Sequence, residues 1–142
     1  MSNSANGSSF ETGYQETAES DASRVRALYN PDSRLVLTLG DREIVMTPAM
    51  RVFTMGRNAD CDLVINEPYV SLVHVRVLYR KGKFVLIDQS RNGTYVRAEG
   101  GSEVCLVQDD EFPLTSKGTI SLGRPGDEAN HDLIRYAFEE QH

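Results

Sequence analysis

No apolar run in this 142-residue chain approaches the roughly 20 residues that cross a bilayer as a helix. The first residues, MSNSANGSSFETGYQ, have neither the basic start nor the apolar stretch of a secretion signal, so a cytoplasmic location is expected. Cysteine is scarce. Cys61 and Cys105 form no C-x-x-C pair and no disulfide framework, and both read as buried, reduced thiols. Basic residues number 15 against 21 acids, and the net charge of −6 excludes general binding to nucleic acid or an anionic membrane. Any anion site must therefore be local.

Lysine and arginine are missing altogether from residues 1–23, which carry Glu11, Glu16, Glu19 and Asp21. With almost no aliphatic side chains to bury, that stretch is expected to be a flexible acidic arm. The segment SDASRVRALYN then suits a short helical turn capped by Ser20 or Ser23, with Val25, Leu28 and Tyr29 on one face and Asn30-Pro31 as its stop. Residues 1–32 are thus assigned to the arm and residues 33–142 to a folded domain.

What the domain does have is a period of two. RLVLTL and REIVM flank Gly40-Asp41, a connection suited to a hairpin, and further short apolar-alternating runs follow to DLIRYAFE. LVHVRVLY, residues 72–79, reads as one continuous strand, joined to KFVLID through a solvated hairpin tip, Arg80-Lys81-Gly82-Lys83. About eleven such runs, with no convincing helix after residue 31, indicate an all-β antiparallel sandwich. Function in such a fold is expected on loops gathered at one end.

Two readings compete for MGRNADCDLVINEPYVSLVHV, residues 55–75. A nucleophilic Ser71 requires glycines around it on a strand-to-helix turn, and none are there. His74, three residues along a regular strand, is expected on the opposite face, and no acid stands out to orient it. His74, His131 and His142 have no metal-ligand spacing. An anion site fits better: Arg57 offers a guanidinium fork beside a glycine, Ser71 a hydroxyl and a loop N–H, Asn92 an amide, and Gly93 lets the chain bend. The plainer alternatives are an Arg57 paired on the surface with Asp60 or Asp62, and a Ser71 that only ends a turn.

Gly56-Arg57, Ser71-x-x-His74 and Asn92-Gly93-Thr94, in this order among short strands, resemble the forkhead-associated (FHA) domain over about residues 34–138. GRNADCDLVI and FVLIDQSRNGTYV are similar to that family along their length. The resemblance implies an eleven-strand sandwich that recognises phosphothreonine without catalysis, cofactor or metal. It implies phosphate contacts from Arg57 and Ser71, a peptide-backbone bond from Asn92, and structural support from Gly56, His74, Gly93 and Thr94. It implies an apolar niche for the threonine methyl, to which Leu72 or Val73 contributes, and specificity loops such as NEPYV, with Tyr69, and TSKGT. The stretch EFPLTSKGTISLGRP resembles FHA domains appended to bacterial adenylate cyclases.

Leu72 departs from the family, which commonly has a polar residue there. One lost charge-assisted hydrogen bond costs about 1.5–3 kcal/mol, or about one to two decades of affinity. Arg91, where the family often has Ser or Thr, is expected to restore part of the positive charge at the phosphate. The expected partner is a phosphothreonine protein, possible ligands including the chain's own Thr12 or Thr17. A linked or partner nucleotide cyclase or Ser/Thr kinase is the expected context. The alternative is an FHA-fold scaffold or dimerisation module that binds independently of phosphate.

Overall fold

Residues 31–140 are described by the computed structural model, and the strands they form are β1 Ser33–Leu39, β2 Arg42–Met46, β3 Val52–Gly56, β4 Leu63–Val64, β5 Val75–Arg80, β6 Lys83–Asp88, β7 Thr94–Ala98, β8 Val104–Leu106, β9 Glu111–Pro113, β10 Lys117–Leu122 and β11 Ile134–Glu140. Of the arm and helical turn expected over residues 1–32, residues 1–30 lie outside the described residues. A six-stranded sheet runs β2-β1-β11-β10-β7-β8, and a five-stranded sheet runs β4-β3-β5-β6-β9. Every pairing is antiparallel except β3 with β4, where Met55 and Gly56 run parallel to Leu63 and Val64.

Alternation makes the sandwich. Leu35 and Leu37 of β1, Ile120 and Leu122 of β10, and Ile134 and Tyr136 of β11 turn inward from one sheet. Phe53 and Met55 of β3, Val75 and Val77 of β5, and Phe84 and Leu86 of β6 meet them from the other. Each such side chain contributes about 1.5–3 kcal/mol when fully buried, so a one-residue slip of any strand would expose its whole inner row.

Two tight turns fix the registers. Gly40 takes φ +63° between the paired Leu39 and Arg42, and Lys81 and Gly82 take φ +53° and +80° between Arg80 and Lys83. Those positive angles match the twist of a two-residue hairpin. At the Arg80–Lys83 pole the Tyr79 and Phe84 rings lie 4.9 Å apart and Phe84 lies 6.0 Å from Phe138, edge on. Ser33 pairs with Glu140 at this same pole.

The opposite pole collects the loops after β3, β4, β6, β8 and β10, because each of those strands ends there. Two expectations change on the way. The run LVHVRVLY is strand only from Val75, because His74 N–H donates to Met55 O (2.8 Å) and residues 71–74 turn across the end of β3 instead of continuing β5. Cys61 is buried, but Cys105 is exposed, since β8 is the edge of its sheet.

Candidate functional site

At the loop pole the end of β3 is laced to residues 70–74 by backbone. Arg57 N–H donates to Ser71 O (2.9 Å), Asn58 N–H to Leu72 O (3.1 Å), and the Cys61 thiol reaches the same Leu72 carbonyl at 3.3 Å. Gly56 permits this approach: a Cβ there would lie 2.3 Å from Leu72 O and 3.0 Å from His74 N. Arg57 is exposed and pairs with neither Asp60 nor Asp62; Asp62 accepts from Thr54 N–H instead (2.8 Å). The Arg57 Nε–H donates to Val70 O (2.9 Å), which aims the guanidinium and leaves both terminal nitrogens for a ligand.

His74 is buried and joins three segments. Its Nδ1 accepts from Ser71 N–H (3.0 Å), so the ring proton sits on Nε2 and donates to Gly93 O (2.8 Å). Its own carbonyl accepts from Gln89 N–H (2.8 Å). The expected opposition of His74 and Ser71 fails because this stretch is a turn. With both ring nitrogens held by backbone, His74 has no lone pair to take a proton from the Ser71 hydroxyl, which accepts instead from Arg91 N–H (3.1 Å).

Burial holds the His74 imidazole below its ordinary value of 6.5, against the opposing pull of the Gly93 carbonyl and Asp88. The unfolded chain therefore binds a proton near pH 6.5 that the folded chain refuses until lower pH. This contribution to stability is complete above pH 6.5 and is lost as pH falls below it. Thermal melts at steps from pH 8 to 5.5 should show that decline, with a His74 ring that titrates below 6.5 by NMR; a ring titrating at the ordinary value would refute the account.

The loop that follows β6 is built on Asp88, a residue the sequence reading passed over. Its buried Oδ1 accepts the Ser90 and Thr94 hydroxyls, both at 2.6 Å, and Ser90 Oγ accepts Gly93 N–H (2.8 Å). An Asp-x-Ser start, DQS, was the available signal for such a side-chain-bonded turn. The turn places Arg91 and Asn92 outward, while Gly93, at φ +90°, is buried. Asn92 Nδ2 donates to Tyr69 O (3.0 Å).

These loops surround an open depression of about 270 Å³ lined by Arg57, Tyr69, Ser71, Leu72, Arg91 and Asn92 among others. Among the described residues, two arginines and no carboxylate line it. Neither Arg57 nor Arg91 has an acidic partner among the described residues. A larger depression of about 410 Å³ lies elsewhere, across the outer face of β7, β10 and β11, but there Arg97 and Arg135 share the lining with Glu99, Glu103, Asp127 and Glu128, a balance unsuited to an anion.

Tyr69 is held from behind. Its hydroxyl donates to Asp132 Oδ2 (2.6 Å), Arg124 donates to Asp132 Oδ1 (2.8 Å), and the Arg124 guanidinium lies 4.8 Å from the Tyr69 ring centre. Burial, then the bond to Asp132, pushes the Tyr69 phenol up to about 12. Both anchors come from the β10–β11 loop. TSKGT, expected to shape specificity, sits at the other pole, where Phe138 N–H donates to Ser116 O (2.7 Å).

The FHA domain family model matches residues 53–123, which contain the loops after β3, β4, β6 and β8 and end at Gly123. Among solved structures, the chain is similar to the Mycobacterium tuberculosis Rv1747 FHA-1 domain (18% identity, TM-score 0.59, 75% of this chain and 97% of that one). It is also similar to the MEK1 FHA domain in complex with the HOP1 pThr318 peptide (23%, 0.55, 80% and 100%). A third is the N-terminal FHA domain of S. cerevisiae Rad53p in complex with a phosphothreonine peptide (22%, 0.50, 77% and 93%). At these identities the likeness is one of fold. No curated protein sequence matches the chain.

Proposed function

Because the chain belongs to the FHA domain family, whose members are recognition modules, we propose that its loop pole binds the phosphothreonine of a partner protein and releases it unchanged. The observation that carries this reading is the convergence of Arg57 and Arg91, both without acidic partners among the described residues, on a depression whose described lining holds the Ser71 hydroxyl and the Asn92 amide and no carboxylate. A phosphate dianion needs that set: guanidinium forks for charge and neutral donors for orientation. Arg57 and Ser71 take the phosphate, Asn92 takes the peptide backbone, and Gly56, His74, Gly93 and Thr94 hold the loops. Leu72, 53% exposed at the depression, and the exposed Val73 that follows it offer an apolar contact that a threonine methyl can use and a serine cannot.

The ligand class includes the chain's own Thr12 and Thr17 once phosphorylated, in cis or in trans. Regulation of a linked or partner enzyme, such as a bacterial nucleotide cyclase or a Ser/Thr kinase, is the setting we read for it. A cytoplasmic location follows from the proposal, since phosphothreonine is made where ATP is. Titration calorimetry with a degenerate phosphothreonine peptide pool, its unphosphorylated twin, and peptides phosphorylated at Thr12 or Thr17 tests the proposal. Micromolar affinity, about −8 kcal/mol, that requires the phosphate supports it, and equal binding of both pools overturns it.

Arg91 replaces the charge that Leu72 does not supply. The Arg91→Ala variant should bind the phosphopeptide about tenfold more weakly, the low end of what one lost charge-assisted contact costs, because the site is exposed. Unchanged affinity would remove Arg91 from the site.

The exposure of Leu72 and Val73 also favours a second reading, in which the pole docks partners through apolar contact irrespective of phosphate. Partner binding that survives phosphatase treatment but not Leu72→Asp would select it.

A further inference from the structure

Asp132 lies outside the depression, yet three links connect it to the ligand-facing side of Asn92. The carboxylate, 2% exposed, accepts the Tyr69 hydroxyl at 2.6 Å and the Arg124 guanidinium at 2.8 Å. Those two groups stack on each other, so the Tyr69 side chain is gripped at its tip and across its face. Tyr69 in turn offers its backbone carbonyl to Asn92 Nδ2 (3.0 Å). That carbonyl sits so close over Gly123 that a Cβ there would be 2.2 Å from it, and Gly123 N–H donates to Gly93 O (2.9 Å). A closed circuit results: Asp132, Tyr69, Asn92, Gly93, Gly123 and Arg124, whose members alternate between the β4–β5, β6–β7 and β10–β11 loops.

The circuit fixes one rotation of an exposed amide. Because Tyr69 O is an acceptor, the Asn92 nitrogen must face it, and the Asn92 Oδ1 is left facing away. An exposed asparagine free to rotate presents nitrogen and oxygen alternately; one held in this way presents a constant acceptor to a peptide N–H. We propose that Asp132 is a positioning residue of the ligand site, acting through Tyr69 and Arg124 to lock the Asn92 amide in its acceptor-outward orientation. The inference rests on the phosphopeptide reading for its consequence but not for its geometry. Burial alone would raise the Asp132 carboxyl, and the bonds from Arg124 and Tyr69 outweigh it and hold the group below its ordinary range, so it stays an acceptor throughout the neutral pH region. The pair of His131 Nε2 with Glu67 (2.9 Å) ties the same two outer loops without a side-chain hydrogen bond to any member of the circuit, which makes it a control for general loosening of those loops.

The test uses the full chain with two variants, Tyr69→Phe, which keeps the ring and removes only the link to Asp132, and Asp132→Asn. In wild type the Asn92 side-chain amide proton bonded to Tyr69 O should exchange slowly with solvent and show an NMR shift away from that of a free asparagine amide. Both variants should speed its exchange and move it toward the free-amide shift, and Glu67→Gln should not. This readout needs no ligand, so it stands apart from the phosphopeptide reading. With ligand, both variants should weaken phosphopeptide binding about five- to tenfold, leave inorganic phosphate binding unchanged, and have no further effect on top of Asn92→Ala. Unaltered Asn92 signals in Tyr69→Phe and Asp132→Asn would overturn the proposal, as would an equal loss of inorganic phosphate and phosphopeptide binding.

Discussion

Arg57→Ala should weaken phosphopeptide binding by about two to three decades, while the melting temperature stays within a degree or two of wild type. Removing one partner of a desolvated charge pair costs about 2–5 kcal/mol, much of it from the charge left alone, and 1.4 kcal/mol is a factor of about ten. The side chain is exposed and its single bond in the free protein, to Val70 O, is one that water can replace. Arg57→Lys sharpens the expectation. Lysine keeps the charge but has no Nε–H for the Val70 carbonyl and no fork, so it should recover only part of the loss. Calorimetry on the three proteins decides the matter: an Arg57→Ala protein that binds the phosphopeptide as wild type does would end the phosphate reading.

Gly56→Ala should cost about 3 kcal/mol of stability and most of the binding, by a different route. The added Cβ would stand 2.3 Å from Leu72 O, and the atoms it meets are backbone, which has no rotamer to move into. Relief requires residues 71–74 to draw away from β3, giving up the Arg57–Ser71 and Asn58–Leu72 bonds and shifting Ser71 from the phosphate. Gly40→Ala separates this contact from ordinary glycine strain. Gly40 has φ +63° but nothing within 4 Å of an added Cβ, so its cost should be about 1 kcal/mol. Melting temperatures should fall by about 10–20 °C for Gly56→Ala and by a few degrees for Gly40→Ala; equal losses would mean that the close approach is unimportant.

The rows of inward side chains were legible because a strand repeats every two residues, and so were the turns at Gly40 and Gly82, where only a positive φ closes the hairpin. Arg57, Ser71, Arg91 and Asn92 were legible as residue types suited to an anion, and all four line one depression. Residues whose place depends on strand order were not. TSKGT and the β10–β11 loop look equally loop-like in sequence, and only the pairing of β10 with β7 and β11 shows that the second, not the first, reaches Tyr69. His74 sits in a stretch whose alternation mimics a strand, so its turn, and with it the bond to Ser71 N–H, could not be read from spacing. Asp88 ends the run FVLID as a polar residue, and its burial arises from hydroxyls two and six residues on.

The pairing of Ser33 with Glu140 has a mechanical consequence. Both ends of the sandwich leave side by side from the pole opposite Arg57, on adjacent antiparallel strands. Tension applied between them would peel β1 from β11 like a zip, breaking one rung at a time from Ser33–Glu140 toward Leu39–Ile134. The first rungs to break lie at the pole away from the loops after β3, β4 and β6. A tether on this domain therefore begins to fail at its root, at the far end from its grip on the ligand.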